Sequence, residues 1–171
     1  MSEALATAVG HTLVEELTKA FGRLRHCLDQ LTDQQVWHRP AEPMNAIGNL
    51  ILHLAGNLGQ YVVSGVGGAA DVRNRPAEFS ARGPMTRNEL LGRLEVVIAD
   101  ARAALERQSE ADWLKVRRIQ GFEMDALHAA ARSVAHFRGH EQEIIHMTRA
   151  MLGDKYRFNW VPTTKEQGAK E

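Results

Sequence analysis

Cysteine is almost missing from this 171-residue chain. Cys27 stands alone, which excludes an internal disulfide and any thiolate-rich zinc site. Net charge is missing too: Lys and Arg number 21, Asp and Glu number 21, and the two signs are interleaved. Neither nucleic acid nor an anionic membrane surface is therefore an expected partner. No apolar run approaches the ~20 residues that cross a bilayer. The first residues carry Glu3, Glu15 and Glu16 where a signal peptide would have a basic start and an apolar core. The expectation from these absences is a cytoplasmic protein. Internal repeats and low-complexity segments are also lacking, so one domain is expected, long enough to bury roughly 70% of its unfolded surface.

What the chain does contain is helical periodicity. Over 3–31, Leu5, Val9, Leu13, Leu17, Phe21, Leu24 and Leu28 fall on one stripe. Residues 32–45 begin at a capping threonine, hold two prolines and predict a short turn and a loop, with Trp37 closing one end of the core. Asn45 is placed to cap a second helix over 46–64, whose stripe runs through Ile47, Leu50, Ile51, Leu54, Leu58 and Tyr61. Residues 66–85 lack periodicity. Loops that long usually carry function or a topological crossover, and this one holds Arg73, Arg75, Glu78 and Phe79. Thr86-Arg-Asn-Glu89 is a capping box that opens a third helix to about residue 108. A connector over 114–122 leads to a fourth helix over 124–152, stopped by Gly153. An aromatic segment, 154–162, is expected to pack on the body, and 163–171 to be a disordered tail. With four long amphipathic helices and no convincing strand pair, the predicted fold is all-α: a four-helix bundle over 1–162. The long crossover lets helices two and three run parallel, an up-down-down-up course.

Within the fourth helix, His136 and His140 are four residues apart, so both rings leave one face a turn apart. Two neutral imidazoles at that spacing can share a divalent ion. His53, on the shoulder of the second helix, is the candidate third ligand, since bundles build metal sites from facing helices. Three histidines leave one coordination position open, as in catalytic zinc centres. Zinc is the expected ion, with nickel, iron, cobalt or manganese as alternatives that imidazole also suits. Glu143 lies on the same face three residues after His140. It is the candidate catalytic group, placed to orient an exchangeable ligand or take its proton. Asn57 is a candidate outer partner. Arg73 and Arg75 either bind an acidic group of a substrate or pair with Glu78. Cys27 reads as a small buried hydrophobe.

Residues 49–57 (Asn-Leu-Ile-Leu-His-Leu-Ala-Gly-Asn), the glycine-rich 64–68, Arg73-Asn-Arg-Pro-Ala-Glu-Phe79 and the stretch 136–146 together resemble the DinB-like superfamily of metalloenzymes, in a bacterial branch of unknown function. The resemblance spans about residues 5–162. It implies an up-down-down-up bundle, a divalent metal in the cleft and frequent homodimers, with His53, His136 and His140 at the positions of the metal triad. Some members of that superfamily resemble thiol-dependent S-transferases or isomerases, and others have no assigned reaction. The leading reading is a metal-dependent transferase acting on a small-molecule substrate with a low-molecular-weight thiol, with a hydrolase as the alternative enzyme. Two other classes stand beside that reading. One is a non-catalytic metal or small-ligand binding module, the other a dimeric stress-response protein with a vestigial site.

Overall fold

A computed structural model of the protein describes residues 2–159. The predicted tail over 163–171, and the end of the aromatic segment, lie outside those residues. Within them the chain is mostly helical, and no helix is long and apolar enough to cross a membrane.

Helix α1 (Glu3–Leu28) starts at Ser2, whose side chain accepts from the Leu5 amide, and ends three residues before the predicted stop. Its buried stripe includes Val14, Leu17, Phe21, Leu24 and Leu28, the spacing seen in the sequence. Helix α2 (Asp33–Val36) is one turn, closed by a reciprocal capping box between Thr32 and Gln35. Trp37 then donates through Nε1 to the Met85 carbonyl at 2.7 Å and lies against Gly48, where a Cβ would come within 2.9 Å of its ring.

Helix α3 (Ile47–Leu58) continues as a π-helical segment, Gly59–Val66. Its cap differs from the prediction. The N-cap is Ala46, and the Asn49 side chain accepts from the Ala46 amide in place of Asn45. Asn49 is fully buried and also donates to the carbonyls of Glu78 and Ala81, which pins the following loop against α3. That loop is not structureless. Helix α4 (Arg75–Ser80) interrupts it, capped by Asn74 and entered through Pro76 near the start, where a missing N–H costs nothing. Helix α5 (Arg87–Glu106) starts at the predicted Thr86–Glu89 box. Helix α6 (Glu110–Leu114) buries Trp113.

The connector corrects the expectation that no strand pair exists. Strands β1 (Val116–Ile119) and β2 (Phe122–Asp125) pair antiparallel, with Val116 opposite Asp125 and Ile119 opposite Phe122. Gln120 and Gly121 form the turn, both with positive φ (51° and 84°), the backbone that matches the twist of a two-residue hairpin. Helix α7 (Ala126–Leu152) follows directly, capped by Asp125. It ends at Gly153, whose φ of 53° suits a residue without Cβ.

The long helices share one core. Helix α1 packs against α5 and α7, and α3 packs against the same two helices from the other side. Between α1 and α5 the approach is close: a Cβ on Gly10 would stand 2.7 Å from the Leu105 carbonyl oxygen. This frame turns the His53 face of α3 toward the His136–His140 face of α7.

Candidate metal centre

The i, i+4 spacing on α7 brings His136 and His140 side by side, with ring centroids 4.5 Å apart. His53 of α3 faces both, at 5.0 Å from His136 and 5.2 Å from His140. One ligand nitrogen from each ring lies within 4.8 Å of the other two, close enough to converge on one ion. The Nε2 atoms of His53 and His136 are 2.9 Å apart. Two bare lone pairs at that distance repel, so the contact needs a proton or a cation between them.

Two of the three outer nitrogens meet a carboxylate. Nδ1 of His53 lies 2.9 Å from Oε2 of Glu78. Arg73 Nη2 is 3.1 Å from the same nitrogen but can only donate, so a proton on Nδ1 is directed at the carboxylate. That tautomer leaves Nε2 of His53 unprotonated, its lone pair facing His136. Nδ1 of His140 lies 2.7 Å from Oε2 of Glu143, which leaves its Nε2 free in the same way. A carboxylate behind a histidine is the usual outer partner of a metal ligand, fixing ring orientation and raising basicity.

Glu78 is the residue that sequence reasoning undervalued. It is 6% exposed and held by Arg73 through both Nε (2.7 Å) and Nη2 (2.9 Å), a fork on a carboxylate. Burial pushes its carboxyl up, but hydrogen bonds from Arg73 and His53, together with their charges, outweigh that and hold it below the ordinary carboxylate value. Room for it comes from Gly56, three residues after His53 on α3: a Cβ there would sit 2.0 Å from Oε1 of Glu78. The signal lay in the pair of a glycine one turn beyond the histidine and an acid near two arginines. The partner half of the Arg73 alternative is what the structure contains, whereas Arg75 lies over the Phe79 ring at 5.0 Å.

Asn57 accepts from Ser133 Oγ at 2.9 Å, which links α3 to α7 beside the histidines. Glu143 is half-exposed, with its carboxylate on His140. His26 bonds the Arg157 carbonyl at the other end of α1, and among the described residues no further histidine joins the cluster. Cys27 is fully buried, and burial pushes its thiol up, consistent with a packing residue.

Burial, followed by the neighbouring His140, His53, Arg73 and Arg132, pushes the pKa of His136 down from 6.5 to about 4. The ring therefore stays neutral and able to ligate throughout the neutral range. A depressed folded value also makes stability pH-dependent: full above about 6.5, it falls toward about 4 because the unfolded chain takes up a proton first. The metal-free protein should show a urea midpoint that drops between pH 7 and pH 4.5. His136→Phe should flatten that slope, and an unchanged slope would remove His136 as its source.

Fold and site define a helical protein with a buried-to-half-buried histidine cluster that could hold a metal ion. The chain belongs to the family described as protein of unknown function (DUF1572), whose model matches residues 9–165. No curated protein matches it.

Proposed function

We propose that the protein is a divalent-metal-binding enzyme of the thiol-dependent S-transferase type, built as a DinB-like four-helix bundle of up-down-down-up course. The observation that carries the reading is the three-histidine cluster with a carboxylate behind two of its rings. Imidazole donors favour zinc, and three of them leave a position for water or a thiol. A divalent ion there would lower the pKa of the water or thiol it holds, supplying a nucleophile at neutral pH.

The chain's own residues would hold and tune that centre. Glu78 and Arg73 fix His53, and burial keeps His136 neutral. Glu143 acts through His140, with its carboxylate holding the Nδ1 proton so that Nε2 faces the ion. A substrate and a low-molecular-weight thiol would enter beside α3 and α7, and the homodimer belongs to the same proposal.

The test uses cobalt as a reporter. Protein carrying one equivalent of cobalt should change its visible absorption when cysteine or glutathione is added, because sulfur replaces an oxygen ligand. Glu143→Gln should still take up cobalt, about 10–100-fold more weakly, and alter the pH at which that change occurs. A spectrum that no thiol in a panel perturbs would give precedence to the binding-module reading.

A further inference from the structure

A small pocket opens directly on the cluster, about 220 Å³ in volume, the space of roughly seven waters. His53 and His136 form one wall. The rest is polar: Asn57, Tyr61, Gln120, Ser133 and three arginines, Arg73, Arg75 and Arg132. No carboxylate lines it. Arg73 is neutralised by Glu78, but Arg75 and Arg132 are exposed, and among the described residues neither forms an ion pair with a carboxylate. Arg75 lies over the Phe79 ring, which itself leans on the His53 ring at 4.9 Å.

The hairpin completes the wall. Gln120 adopts a positive φ that non-glycine residues rarely take. Its amide accepts from Tyr61 Oη at 3.0 Å and donates to Gln60 Oε1 at 2.6 Å. A backbone outlier bonded through its side chain to Tyr61 of the lining and to Gln60 beside it is a feature that function commonly retains. The surrounding chain thus holds a polar cup with two uncommitted guanidiniums next to three imidazoles.

We infer that this pocket binds a small anionic group, a carboxylate or a phosphate, between Arg75 and Arg132, so that the substrate of the proposed metal site is an acid. The inference rests on the metal-site reading for its reaction, but not for its binding. Guanidinium forks match both oxyanions, and no facing acid competes with them. Water is displaced from a cup too small for a nucleotide, so the anion would be the head of a small metabolite.

The experiment titrates full-length protein, metal-free and zinc-loaded, with succinate and separately with inorganic phosphate, following binding by calorimetry and amide chemical shifts. At least one anion should bind the metal-free protein with Kd of about 1 mM or tighter. It should shift amides of residues 73–75, 120 and 132. Binding should weaken with added salt. Arg75→Met/Arg132→Met should weaken it at least about tenfold, while zinc stoichiometry is unchanged because neither side chain reaches a histidine nitrogen. Preference for succinate or phosphate decides which oxyanion the pocket takes. Two results overturn the inference: no binding of either anion, or binding that the double variant leaves intact, as when the anion sits on zinc alone. If zinc fails to bind but the arginine-dependent titration persists, the metal reading falls and the anion site stands.

Discussion

Glu78→Ala is expected to destabilise the protein by about 3–5 kcal/mol, because it strands a buried guanidinium. Arg73, its side chain 3% exposed, would lose the carboxylate that both Nε and Nη2 now meet. Gln60 would remain as its partner at 3.0 Å, and a neutral amide cannot compensate a desolvated charge. The loss should appear in the metal-free protein, as a lowered urea midpoint with an unchanged slope. Glu78→Gln, which keeps the volume and an acceptor for Arg73 but not the charge, should destabilise less than Glu78→Ala and also lower metal affinity about 10–100-fold through the lost carboxylate on His53. A Glu78→Ala protein as stable as the parent would mean that Arg73 reaches water in solution, and the buried pair would lose its place in this account.

The second large effect separates ligands from supports. His53→Ala, His136→Ala and His140→Ala each remove one nitrogen of the cluster and leave the Arg73–Glu78 pair joined. Each should weaken zinc binding by more than the ~10–100-fold typical of an outer partner, and the triple variant should retain none. Helicity should be nearly unchanged, since His136 and His140 lie on the half-buried face of α7 and alanine is a good helix former. Equilibrium dialysis with circular dichroism on the same samples reads both quantities. Full zinc occupancy in the triple variant would place the metal elsewhere.

How much of this was legible beforehand follows from the range of each interaction. The helices were visible because their stripes repeat locally at the helical period, as in Leu17, Leu24 and Leu28 of α1. His136 and His140 were visible for the same reason, and His53 because it sits on the shoulder of such a stripe. Glu78 was visible only as an alternative partner of the loop arginines, and its place behind His53 was not, since that contact joins α3 to a loop with no period. Only the fold shows that Gly56 makes space for it. The Ala46 cap was missed because Asn49 reaches back to it from inside the helix, where side-chain capping is seldom sought. The hairpin was missed because Val116-Arg-Arg-Ile119 scarcely alternates and Gln-Gly is a weaker turn signal than Asn-Gly.

Central to the account is one ion held by three imidazoles. X-ray absorption at the zinc edge, on protein loaded with one equivalent, counts those ligands directly. The account predicts three imidazole nitrogens at about 2.0–2.1 Å with one further light atom, and one sulfur at about 2.3 Å in its place when a thiol is added. A shell with one imidazole or none would contradict it.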